Sequence, residues 1–207
     1  MKRIYKISSI LLAGAIVFLI FILPLKRNYD AHHVNIHGIY LLKPLAIHQL
    51  ELIDQNGQPF TKNNLEHRWS LLFFGFTHCD MVCPVTLSAL NQFYQNVEKK
   101  LSMKDRPQIV FITIDPERDS IKQLKIYLSQ FNTNFIGART SPEKIIDLKK
   151  QFHVLSEKIE NTDQYNHSTD ILLINPQAEI QAYFYFPHNP SQLEKDYLAI
   201  LTYNHMI

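Results

Sequence analysis

Cys79 and Cys83 are the only cysteines in the chain. They stand in Phe74-Gly75-Phe76-Thr77-His78-Cys79-Asp80-Met81-Val82-Cys83-Pro84, where an apolar run gives way to a helical pattern. A thiol pair at a strand-to-helix junction suits metal or redox chemistry. Pro84 has no amide hydrogen and is tolerated in a helix's first turn, so it puts the helix start at or just after Cys83. Cys79 then lies in the preceding loop, which can fold so that both sulfurs face one point. The unpaired amides of a helix N-terminus favour negative charge and lower a thiol's pKa toward the thiolate. Thiolate is the form that attacks disulfides and also the form that ligates metals. A sulfur pair selects soft cations, copper(I) above all, with zinc as a competitor. Two sulfurs leave a copper(I) site open, so a third donor is expected, and an imidazole suits. The plain alternative is a structural disulfide. Its closed loop would be so short that the cross-link would add little stability.

The elements that must position this pair can be read from the apolar pattern. Leu50 to Asp54 alternates and ends in Gln55-Asn56-Gly57-Gln58, a strand and a turn. Trp69 to Phe76 is a continuous apolar run, which predicts a fully buried strand entering the cysteine loop. Val85 to Lys99 has helical spacing, and Gln108 to Ile114 reads as a second buried strand. Ser120 to Phe131 is helical, Asn134 to Gly137 a short strand, and Ser141-Pro142 opens a further helix reaching about Phe152. Asp170 to Ile174 and Glu179 to Phe186 form a hairpin, and Ser191 to about Tyr203 a closing helix. Buried strands alternating with helices predict an α/β layer sandwich. The hairpin adds antiparallel strands to the parallel pair, which makes the sheet mixed.

The chain has 207 residues, is 46% hydrophobic and carries a net charge of +2. That allows one globular domain with a real core. The near-neutral balance gives no reason to expect nucleic acid. The densest basic run of the domain, Lys144 to Lys150, reads as the solvated side of a helix. Ile7 to Leu25 is uncharged and flanked by Lys2, Arg3 and Lys6 on one side and Lys26 and Arg27 on the other. About twenty apolar residues cross a bilayer core, so residues 1–27 are expected to be an uncleaved membrane anchor. The basic excess at the N-terminus keeps that end inside. The domain is then on the outer, more oxidising side, where a lone Cys pair exists as a disulfide unless something keeps it reduced. Residues 28–43, with His32, His33 and His37, read as a tether, and residues 44–207 as the domain.

Three segments together carry a resemblance. The cysteine segment is similar to the signature of the Sco/SenC family. Thr113-Ile114-Asp115-Pro116-Glu117-Arg118-Asp119-Ser120 resembles that family's second motif. Asn166-His167-Ser168, followed by Ile171 to Ile174 and Asn175-Pro176, resembles its third. The resemblance implies a membrane-anchored, thioredoxin-like three-layer sandwich that handles copper. Carried over by position, it implies copper ligands at Cys79, Cys83 and His167. Spacing alone does not single out His167 among ten histidines. His78 is expected to point away from its neighbour, and His153, His188 and His205 read as surface residues. Asp115 and Asp119 read as turn and capping groups, Asp119 best placed for the cap, and the resemblance puts their segment near the metal loop. The chain departs from the pattern at Asp80, where many members have Pro, and at Asn166, where an acidic residue is common.

Two functions follow from the resemblance. One is a metallochaperone delivering copper to the binuclear copper site of cytochrome c oxidase, with the copper-site subunit as partner. The other is a thiol–disulfide oxidoreductase using Cys79 and Cys83 as a redox pair, kept reduced by a thiol–disulfide reductase. The longer Cys spacing, and Asn166-His167-Ser168 where a thioredoxin-type reductase usually has Pro, lean toward the first. The lack of an Arg- and Ser-rich presequence points to a bacterial inner membrane, with the domain in the periplasm.

Overall fold

The computed structural model describes Phe18 and residues 34–206. An eight-stranded sheet runs in the order β1 (Gly38–Ala46), β10 (Glu179–Phe184), β9 (Ile171–Ile174), β4 (Ser70–Gly75), β5 (Gln108–Thr113), β6 (Ile136–Arg139), β2 (Glu51–Asp54) and β3 (Pro59–Thr61). Strands β4, β5 and β6 are parallel, and the pairings outside them are antiparallel. The mixed sheet expected from the pattern is therefore present. Every residue of β4 is buried, as its unbroken apolar run predicts.

Successive residues of a strand face opposite sides. Phe73 meets Phe111, which in turn meets Tyr127 of α2 (Ile121–Ser129). Phe74 points the other way, onto Phe152 at the end of α3 (Pro142–Gln151). Helix α1 (Val82–Glu98) packs on α4 (Pro190–Met206) through Phe93 and Tyr197. Helices thus lie on both faces, giving three layers. Two helix starts follow their sequence signals. Ser120 caps α2 through the Gln123 amide at 3.2 Å, and Ser141 caps α3 with Pro142 at its first position.

Three expectations are corrected. The tether reading of residues 28–43 extends too far, because Gly38 already pairs with Phe184 in β1. The preceding residue is held too: the His37 amide donates to the buried Asp196 at 2.9 Å. Strand β1 has no buried residue, so it offers no apolar alternation to read. His188 is not a free surface residue; it is half-buried and donates from Nε2 to the Thr169 carbonyl at 2.8 Å. Burial there lowers its pKa. Asp119 does not cap α2; its role is given below. The expected membrane anchor over residues 1–27 lies outside the described residues apart from Phe18. Among the described residues, no helix is long and apolar enough to cross a membrane.

Residues 155–168 form a separate two-stranded ribbon, β7 (Ser156–Lys158) against β8 (Tyr165–His167). The sequence pattern did not predict it. It is short, has no buried residue and lies outside the main sheet.

Candidate metal centre

Helix α1 begins at Val82, and its cap residue Met81 makes no side-chain cap bond. The cysteine loop fills that role. The Cys83 amide donates to Cys79 Sγ at 3.4 Å, so a sulfur satisfies one of the helix's unpaired donors. Cys83 is fully buried, while Cys79 is partly exposed. Gly75 makes room for the buried sulfur: a Cβ there would lie 2.8 Å from Cys83 Sγ and 2.8 Å from the Phe111 ring.

The ribbon brings His167 to this pair. Its Nε2 lies 3.8 Å from Cys83 Sγ. Its Nδ1 lies 2.7 Å from the Ser168 carbonyl, which can only accept, so Nδ1 carries the hydrogen. In the neutral ring the lone pair is then on Nε2, facing the sulfurs. The two Sγ atoms and a His167 ring nitrogen all lie within 4.8 Å of one another. A trigonal ion bonded to thiolate and imidazole at about 2.0–2.3 Å needs its ligands roughly 3.5–4 Å apart. The 3.8 Å between Cys83 Sγ and His167 Nε2 already falls in that range. Phe76 and Phe73 flank the imidazole, with ring centroids at 5.9 and 6.5 Å, and restrict water on its inner side.

The two thiols are electrostatically unequal. The hydrogen bond from Cys83 holds the Cys79 pKa far below the ordinary thiol range, against the opposing effect of its own burial. Cys83 is pushed up, first by that same bond to Cys79 and then by burial. Of the pair, Cys79 is the sulfur favoured as thiolate and Cys83 the one favoured to keep the proton. Such a site can accept a soft cation, giving up the Cys83 proton, or attack a disulfide through the exposed sulfur.

One buried carboxylate holds the loop from behind, and a second lies beside it. Asp119 is fully buried and accepts from the Thr77 amide at 3.0 Å, the Thr77 hydroxyl at 2.5 Å and the Thr113 hydroxyl at 2.5 Å. It ties the cysteine loop to the end of β5. Asp115 is also buried and pairs with Arg118. Sequence pattern gave Asp119 the cap next door because nothing local shows that Thr77 comes back to meet it. His78 is exposed and turned away, with Nδ1 3.1 Å from the Thr77 hydroxyl and 3.6 Å from Asp119. Its carbonyl, however, accepts from Gln164 of the ribbon at 3.0 Å.

The comparisons with known proteins converge on this region. The SCO1/SenC family profile matches residues 42–202. A candidate copper-binding protein of Stutzerimonas stutzeri is 35% identical over 168 residues, covering 80% of this chain and 80% of that one. The copper-bound structure of ScoI from Arabidopsis thaliana superposes with a TM-score of 0.69 at 28% identity, over 77% of this chain and 98% of that one. Copper-bound ScoI of Bradyrhizobium japonicum gives a TM-score of 0.65 at 29% identity, over 76% and 99%.

Proposed function

The chain belongs to the SCO1/SenC family, and from that membership we propose that it is a copper metallochaperone. Its cargo is bound by the thiolates of Cys79 and Cys83 and by Nε2 of His167. The observation that carries this reading is the convergence of the three donors within 4.8 Å, with the imidazole lone pair aimed at the sulfurs. Two sulfurs and one nitrogen suit copper(I), a soft cation content with three ligands. Copper takes both sulfurs as thiolates, so loading displaces the proton that Cys83 is favoured to keep.

The recipient is the binuclear copper site of cytochrome c oxidase. Cys79 is partly exposed while Cys83 is buried, so the outer sulfur is the one an incoming ligand of the partner subunit displaces first. Residues 1–27 anchor the domain in a bacterial inner membrane, with the domain that begins at β1 in the periplasm.

One observation favours a second reading. An exposed thiolate beside a buried thiol is also the arrangement of a thiol–disulfide oxidoreductase. Cys79 would attack one sulfur of a partner's disulfide, forming a mixed disulfide and releasing the other sulfur as a thiolate. Cys83 would then lose its proton and displace the partner, leaving the Cys79–Cys83 disulfide and a reduced partner. A thiol–disulfide reductase would restore the pair.

A transfer assay separates the two. Reduced, copper(I)-loaded full-length chain, purified in detergent, is mixed anaerobically with the reduced apo copper-site subunit of cytochrome c oxidase. The chaperone reading predicts that copper leaves the chain and is found on the subunit after separation. If copper stays on the chain, and only an oxidised subunit draws a response by consuming the chain's thiols, the oxidoreductase reading replaces it.

A further inference from the structure

The ribbon that carries His167 is not hydrogen-bonded into the main sheet. It is a two-stranded element of its own, with Ser156 opposite His167 and Lys158 opposite Tyr165. An isolated two-stranded ribbon is marginally stable in water. Its position over the cysteines therefore depends on side chains that reach it from the rest of the domain.

Arg118 makes the most extensive of these ties. Its Nε pairs with the buried carboxylate of Asp115. Its Nη2 donates to the Asp163 carbonyl at 2.6 Å, and its Nη1 lies 3.5 Å from the Asp163 carboxylate. Asp163 sits in the ribbon's turn, between the strands that end at Lys158 and begin at Tyr165. Asp115 is itself fixed, its amide donating to the Thr113 hydroxyl at 2.9 Å and its carbonyl accepting from the Asp119 amide at 3.0 Å. One guanidinium thus spans from a rigid point at the end of β5 to the tip of the ribbon. Beyond the packing of His167 itself on Phe73 and Phe76, the remaining ties are single contacts. Gln164 donates to the His78 carbonyl at 3.0 Å, Lys149 to the Ser156 hydroxyl at 2.6 Å, and Tyr165 stacks edge-on against Phe76 at 5.2 Å.

We propose that Arg118 is a positioning residue for the metal site: by clasping the ribbon tip at Asp163 to the buried Asp115, it holds His167 against the two sulfurs. This rests on the three-ligand reading above. Arg118 touches no ligand atom, and its effect on the metal passes through the imidazole. A lysine cannot replace it, because one ammonium offers a point charge where the fork makes separate bonds to two partners.

The test is anaerobic titration of the reduced full-length chain with copper(I) against a competing chelator, in the parent, Arg118→Lys, Arg118→Ala, His167→Ala and the His167→Ala double variants. Arg118→Lys keeps a positive charge beside Asp115, so it releases the ribbon without leaving that buried carboxylate unpaired. Residues that orient a metal ligand typically contribute about 10- to 100-fold in affinity, and Arg118→Lys is expected to lose about 10-fold and Arg118→Ala at least as much. In the His167→Ala background, neither change alters affinity by more than about threefold, because the group being positioned is gone. Parent-like affinity in both Arg118 variants overturns the proposal while leaving the three-ligand site standing. An equal loss with and without His167 overturns it as well, since the arginine then acts on the fold at large. If His167→Ala alone binds as the parent does, the site reading falls, and the positioning role falls with it.

Discussion

Replacing Cys83 with serine is expected to cost the reduced protein about two to three decades of copper(I) affinity. Binding free energies of four-ligand structural metal sites run to about 10–16 kcal/mol, so one thiolate is worth on the order of 3–4 kcal/mol, and a decade is about 1.4 kcal/mol. The substitution changes little else. Cys83 is fully buried in a niche that Gly75 keeps open, and a hydroxyl is smaller than a thiol. The Cys83 amide still donates to Cys79 Sγ, so the loop keeps its shape. What is lost is the soft anionic donor, because a serine hydroxyl does not ionise here and oxygen is a poor partner for copper(I). Competition titration measures the change. A variant that keeps affinity within about tenfold of the parent would mean that Cys83 is not a ligand, since a decade is well below the expected loss.

The second large effect concerns the reactivity of Cys79 and its dependence on pH. An ordinary thiol, with a pKa near 8.5, is only a few per cent thiolate at neutral pH, and its alkylation rate falls about tenfold for each pH unit below that pKa. The Cys79 pKa is depressed, with the Cys83 thiol as the largest cause. The sign follows directly. Lowering the pH from 8 to 6 does not reprotonate a sulfur titrating well below that window, so the rate at Cys79 stays nearly level across it. In Cys83→Ala the main donor is absent and the pKa returns toward the ordinary value. The rate then falls steeply with pH, to about 30-fold below the thiolate limit at pH 7. Iodoacetamide labelling of the reduced, metal-free full chain, with mass spectrometry to assign the site, reads both profiles. A steep parent profile would contradict Cys79 as the sulfur favoured as thiolate.

How much of this was legible in the sequence depends on what each residue's role requires. Strands β4, β5 and β9 lie in the middle of the sheet, buried on both faces, and their unbroken apolar runs show it. Ser120 and Ser141 announce helix starts because a cap is a local matter between neighbours in sequence. Strand β1 and the ribbon were not legible. Edge and surface strands bury too little to leave a period-two pattern, and β1 is recognised only through its partner β10. The cysteine pair stood out by its rarity and its place before Pro84. His167 entered through a resemblance, since no spacing rule connects it to a sulfur pair whose nearer member is 84 positions away. Asp119 and Arg118 were misread or passed over for the same reason. An acid and a base in a turn look like solvated charge until the fold brings Thr77 to one and Asp163 to the other.

The central claim is that one imidazole completes a site begun by two sulfurs, and copper K-edge X-ray absorption of the reduced, copper(I)-loaded full chain tests it most directly. The account predicts a three-coordinate ion with two sulfur neighbours and one nitrogen from a ring, the nitrogen disappearing in His167→Ala. A two-coordinate ion held by sulfur alone, with a spectrum unchanged by that substitution, would contradict it.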